Sequence, residues 1–192
     1  MKTALYPRLA WDGLRKNKRL FTPYLLTCIG MVMMFYILLF LGSPETCELL
    51  PRGKRSAGMI LNLGSFVIAA FSAIFLYYTN SFLVRRRTHE FGLYNVLGMG
   101  KRNLARIVTW ESIITAVLSL VLGLALGILL SKLAELGLLN MLGGDVNYRI
   151  RIDVDSIVRT LWLYTVIFAV IWLSTVVRVG RSSAVALLRS ES

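Results

Sequence analysis

Side chains able to do acid–base, nucleophilic or metal chemistry are sparse in this chain. Ten carboxylates stand against 22 Lys and Arg, with one histidine and two cysteines in 192 residues. Asp153 and Asp155, two apart in IDVDS, could make a weak divalent-metal or glycosidase-type pair, but the solvated end of a loop uses the same residues more often. GMGKRN at 98–103 lacks the GxxxxGK[ST] spacing of a phosphate loop, so any nucleotide would have to be bound by another chain. HExxH and GxSxG are both absent. His89 stands alone, and Cys28 and Cys47 belong to segments expected at different depths, which argues against a disulfide and against a structural metal. The expectation is a protein that is not an enzyme, with no cofactor and no metal of its own.

The elements that would position these groups are apolar and long. Hydrophobic residues make up 56% of the chain and charged residues 17%, with mean hydropathy +0.66. That balance is wrong for a soluble domain and right for a membrane protein. Four stretches, 21–41, 58–84, 107–131 and 157–177, are long enough to cross a bilayer as helices, which needs about 20 apolar residues. They are continuous apolar runs and not short alternating ones, so a β-barrel fails. The net charge is +12, but the bases gather at the ends of the spans, which points to membrane topology and away from nucleic acid. Fifteen of the 22 Lys and Arg fall in the lead at 1–20, the connection at 85–106 and the tail at 178–192; on the other side six fall in the two connections and a seventh, Arg159, at the start of the fourth span. The positive-inside rule then puts both termini and the 85–106 connection in the cytoplasm. The long basic lead argues against a cleaved signal peptide. Of the two outer connections, 42–57 is expected to be turn-rich around Pro44 and Pro51. The alternation in VNYRIRIDV at 146–154 fits a small strand or extended piece.

Within the spans, Ser119, Gly123, Gly127 and Ser131 recur at four-residue steps. This places small residues on one face of the third helix, where another helix can approach closely; the spacing does not say which helix. Glu111, one turn into the third span, is an ionisable group at membrane depth and hence a functional candidate. The favoured alternative sets it among the headgroups, paired with Arg106 or a neighbouring base. No file of carboxylates or histidines crosses the membrane, which argues against a proton relay or a self-contained pore.

The connection VRRRTHEFGLYNVLGMGKRNLARIV at 84–108 holds more apolar residues than a solvated loop needs. Arg85, Arg86 and Arg87, with Lys101 and Arg102, suit a headgroup boundary. From Thr88 a short helix is expected to lie under the membrane, with a stop at Gly98 and a bend at Gly100. Its apolar residues do not form one stripe, because Phe91 and Tyr94 lie on one side and Leu93, Val96 and Leu97 spread over another. A helix in a groove of another protein buries most of its circumference, and the pattern favours that over a helix flat on lipid.

These residues carry a resemblance. THEFGLYNVLGMGKRNLARIVTWE, preceded by paired arginines, resembles the cytoplasmic connection of FtsX-like ABC transporter permeases, most of all the bacitracin and antimicrobial-peptide resistance type. LAWDGLRKNKRLFTPYLL at 9–26 and SSAVALLRSES at 182–192 resemble the opening and closing segments of the same family. The resemblance covers essentially the whole of 1–192, as a single transmembrane domain. It implies an all-α membrane protein in the cell membrane: four transmembrane helices, both termini cytoplasmic, and a cytoplasmic coupling helix between spans two and three. It implies a permease subunit that couples ATP hydrolysis in a separate cytoplasmic ABC ATPase, which would hold the ATP and Mg, to export, removal or sensing of an antimicrobial peptide such as bacitracin. By carry-over, Glu90, Phe91, Gly92, Leu93, Tyr94, Leu97, Gly98, Met99 and Gly100 form the ATPase contact. Phe91, Leu93 and Leu97 would be its buried anchors. Full-length members of that type carry further spans and a large extracellular domain, so the expectation is an N-terminal four-span portion of a longer permease, a truncated product or half of a split one, with the remainder of the permease or a sensor histidine kinase as further partners. The alternative is a non-transporting transmitter or regulator of a cell-wall hydrolase or sensor kinase.

Overall fold

The structure is a computed structural model that describes residues 18–49, 53–96, 101–142 and 152–181, without the side chains of residues 20, 87–96, 101, 102, 142, 180 and 181. Every element among the described residues is a helix: α1 (Lys18–Leu41), α2 (Pro44–Glu48), α3 (Lys54–Val96), α4 (Lys101–Leu142) and α5 (Val154–Arg181). All but α2 contain a stretch long and apolar enough to cross a membrane, at Phe21–Leu41, Lys54–Arg86, Asn103–Met141 and Val154–Val179. The protein is a multi-pass membrane protein with the four expected spans. The second and third are longer than their apolar cores alone indicated.

The 43 residues of α3 make a rod of about 64 Å at 1.5 Å per residue, roughly twice the ~30 Å hydrocarbon thickness. The 42-residue α4 is as long. This corrects one expectation. Residues 88–96 are helical, but as the continuation of α3 and not as a separate short helix starting at Thr88. The physical reason is local: no proline interrupts 54–96, arginine is a good helix former, and Gly92 alone costs about 1 kcal/mol, too little to end a long helix. The stop at Gly98 and the bend at Gly100 lie outside the described residues, as does most of the alternating segment 146–154.

The chain divides into two compact units, each taking a piece of all four spans. Unit two comprises Thr27–Ile74 and Leu118–Thr165. Its centre is the seam between α1 and α4. Ser119, Gly123, Gly127 and Ser131 are all buried, and the partner that spacing left open is α1. A Cβ built on Gly123 would stand 2.7 Å from Val32 Cβ and 3.1 Å from the Ile29 carbonyl oxygen, and one on Gly127 would stand 3.0 Å from Tyr36 Cδ1. The ring of Tyr36 therefore lies in the notch at Gly127. It stacks on Phe40, with centroids 6.2 Å apart, in a cluster that Leu41 completes. Across the same unit α3 meets α5, where the hydroxyls of Ser72 and Tyr164, both fully buried, are 2.9 Å apart. Phe35 packs edge-on against the Tyr164 ring at 5.8 Å. Tyr164→Phe should lower stability by about 1 kcal/mol, readable as a small drop in melting temperature of the purified protein in lipid nanodiscs. It removes one interhelical bond but keeps the ring, and Ser72 can turn to a backbone carbonyl.

The ends of unit two use polar residues as caps. Pro44 opens α2, with Ser43 at its N-cap position, so the expected turn-rich connection holds a short helix. Asn62 donates to the Gly58 carbonyl at 2.8 Å and to the Gly42 carbonyl at 3.4 Å, which ties α3 to the end of α1. Cys28 and Cys47 are both buried and form no disulfide, and burial pushes the Cys47 thiol pKa up. Asp153 accepts from the Asp155 backbone N–H at 3.1 Å and from the Ser156 hydroxyl, the pattern of a helix N-cap. Asp155 pairs with Arg159 at 2.8 Å, one turn on, with both side chains exposed. The two acids that could have suggested metal or glycosidase chemistry thus start and support a helix.

Candidate functional site

Unit one comprises Met1–Leu26, Phe75–Val117 and Val166–Ser192, and so contains the stems on either side of the basic connection. The first stem is the part of α3 from Phe75. Its apolar side carries Leu83 and Val84, and Val84 packs with Leu104 and Val108 of the second stem and with Val179 of α5. Leu104 and Val108 are one turn apart on α4, so they meet α3 along one stripe. Around this cluster three polar bonds join α5 to the two stems. Asn80 donates to Thr175 Oγ1 at 2.8 Å, Arg178 Nη2 donates to Ser81 Oγ at 3.3 Å, and Trp172 Nε1 donates to Thr109 Oγ1 at 3.0 Å. In an apolar medium such bonds add orientation to dispersion packing, at about 0.6 kcal/mol each on average. Displacement of either stem is therefore felt by α5.

Arg85 and Arg86 lie exposed at the end of the apolar stretch of α3. The Arg86 guanidinium carbon stands 5.0 Å above the Phe82 ring one turn back, a cation–π contact. Arg87, Lys101 and Arg102, and the predicted contact residues Glu90, Phe91, Gly92, Leu93, Tyr94, Leu97, Gly98, Met99 and Gly100, have side chains or backbone outside the described residues.

Glu111 is 5% exposed and lines a small cavity of about 40 Å³ together with Tyr24, Asn80, Ser112, Thr115 and Thr175. Its position follows from α4's burial pattern. Glu111, Thr115, Ser119, Gly123, Gly127, Ser131, Glu135 and Leu139 are all buried at four-residue steps, a stripe on α4 that runs on past both ends of the small residues. Each step of four drifts by about 40° from a straight 3.6-residue stripe, so the buried face winds around the helix. Sequence reading missed Glu135 because it falls beyond the apolar core taken for the third span. It is fully buried and accepts from Lys132 at 2.8 Å. The same reading passed over Ser81, Thr109, Trp172, Thr175 and Arg178, for which the one available signal was a polar group inside an apolar run.

Comparison with known proteins agrees with this architecture. Residues 62–184 match the profile described as FtsX-like permease C-terminal. The chain is 25% identical over 185 residues to the bacitracin export permease protein BceB of Bacillus subtilis (strain 168), covering 96% of this chain and 28% of that protein. It is 24% identical over 184 residues to the BceB of Halalkalibacterium halodurans, with the same coverage of each. An ABC transporter permease of Bacillus subtilis, YvcS, is 25% identical over 183 residues, covering 95% and 28%. The chain spans 28% of the length of these relatives. With a family profile matched over most of its length and four membrane-spanning helices, the chain belongs to the FtsX-like permeases.

Proposed function

We propose that this chain is the membrane permease portion of an ABC transporter, with its termini and basic connection in the cytoplasm. The connection takes the push of a separate ATPase subunit, and the transporter exports, removes or senses an antimicrobial peptide such as bacitracin. The peptide class rests on the names of the relatives, and the orientation on the asymmetry of Lys and Arg. The observation that carries the coupling reading is the unbroken course of α3 from its apolar stretch through Val96. A helix is stiff along its axis, so force applied at residues 90–96 reaches the Val84 cluster and, through the bonds of Asn80 and Ser81, α5. Phe91→Asp or Leu97→Asp, each placing a charge where a buried anchor is proposed, should cut co-purification of the ATPase at least tenfold without changing membrane insertion. Undiminished retention of the ATPase by both variants would overturn the coupling assignment.

A further inference from the structure

We infer that the cavity of unit one is a site for ordered water, which links the two stems of the basic connection inside the membrane. The hydrogen bonds decide what the cavity wall offers. Thr115 Oγ1 donates its proton to the Glu111 carbonyl at 2.8 Å, and Thr175 Oγ1 donates its own to the Ile171 carbonyl at 2.8 Å. With their single protons committed, both hydroxyls can only accept from other groups. That orients Asn80: since Thr175 Oγ1 accepts, the amide turns its NH2 toward it, at 2.8 Å, and keeps Oδ1 as an acceptor. Asn80, Thr115 and Thr175 all line the cavity, and Ser112 adds a further hydroxyl.

An acceptor enclosed in an apolar medium without a donor costs more than immobilising a water to serve it. What fills this wall must therefore donate in more than one direction. Water does so with two protons and brings no charge, so it asks nothing of Glu111, whereas an acyl chain has no donor at all. Size agrees: about 40 Å³ exceeds the roughly 10–15 Å³ that one water needs, and the polar wall separates this cavity from an apolar one that stays dry. Asn80 belongs to α3, and Ser112 and Thr115 to α4. Water between them is a polar link from stem to stem, beside the apolar cluster of Val84, Leu104 and Val108. Such a link re-forms after either stem shifts, because a water turns freely where packed side chains would collide. This inference is independent of the transport reading above.

Brief X-ray exposure splits bound water into hydroxyl radicals, which label the side chains beside it. The test is that labelling, read by mass spectrometry on the purified protein in lipid nanodiscs. Tyr24 lines the cavity and is 5% exposed; Tyr164 is fully buried elsewhere and is the matched control. Tyr24 should be labelled about tenfold faster than Tyr164, or more, because only a wet cavity brings water to it. Ser112→Ala combined with Thr115→Val removes two of the groups that hold the water and should bring the Tyr24 rate down to that of Tyr164. Thr115→Val alone keeps the side-chain shape and should lower the rate severalfold, which decides the matter if the double variant fails to fold. Equal labelling of Tyr24 and Tyr164 in the wild type, or a Tyr24 rate that Thr115→Val leaves unchanged, would overturn the assignment.

Discussion

Gly123→Leu should prevent α1 and α4 from docking, leaving a protein that inserts in the membrane but melts far below wild type or aggregates on extraction. Even the smallest enlargement is resisted. An alanine Cβ would stand 2.7 Å from Val32 Cβ and Cγ1 and 3.1 Å from the Ile29 carbonyl oxygen. Val32 is fully buried and β-branched, so it is held to one rotamer in a helix and cannot swing aside. The helix backbones must separate instead. Overpacking by one methyl group costs about 1–3 kcal/mol, partly offset by the ~1 kcal/mol that alanine gains over glycine in a helix; leucine adds three further carbons with no such offset to cover them. Gly127→Ala should be close to neutral, because its nearest neighbour is the edge of the Tyr36 ring at 3.0 Å, which can tilt by a few tenths of an ångström. Transferring the notch gives the decisive control: Val32→Gly should restore much of the stability lost in Gly123→Ala, and only in that background. Thermal unfolding in nanodiscs measures all four. A Gly123→Leu protein that melts like wild type would mean that the seam does not hold the helices.

On the proposed function, Arg86→Pro should abolish protection against the peptide in cells that make the transporter, while the proposed ATPase partner still co-purifies. Arg86 lies at the end of the apolar stretch of α3, between the packed Val84 and the proposed contact beginning at Glu90. Proline there removes a backbone hydrogen bond and clashes with the preceding turn, at a cost of about 3 kcal/mol, and bends the helix. The contact surface beyond the kink keeps its residues, but the rod linking it to the spans is broken. Arg86→Ala separates this from loss of the side chain. The guanidinium is exposed and touches the Phe82 ring at 5.0 Å, a contact worth about 0.5–1 kcal/mol at such a site, so the alanine variant should protect nearly as well as wild type. Full protection by Arg86→Pro would exclude transmission along α3, even if the contact itself proved correct.

The same two helices show which levels of the fold were legible in the chain. Apolar length identified all four spans, because a backbone in hydrocarbon must satisfy its own hydrogen bonds and a helix of sufficient length is the economical way to do so. Small residues at four-residue spacing identified the docking face of α4, because backbones approach closely only where side chains are small. The continuity of α3 was legible too, in the absence of proline from 54–96, although three arginines and Gly92 interrupt its apolar run. What periodicity does not encode is the choice of partner. Any apolar helix could in principle have filled the notch at Gly123; that α1 does so depends on Val32 and Tyr36 having complementary volume at matching height. The bond between Asn80 and Thr175 joins residues 95 apart. The burial of Glu111 depends on the winding of a stripe whose far end, at Glu135 and Leu139, lies beyond the apolar core of the span. The sequence by itself determined which faces leave lipid and water, since that is a property of one helix at a time. Which faces meet, and which polar groups are thereby enclosed together, is a property of several helices at once, and only the tertiary structure decided it.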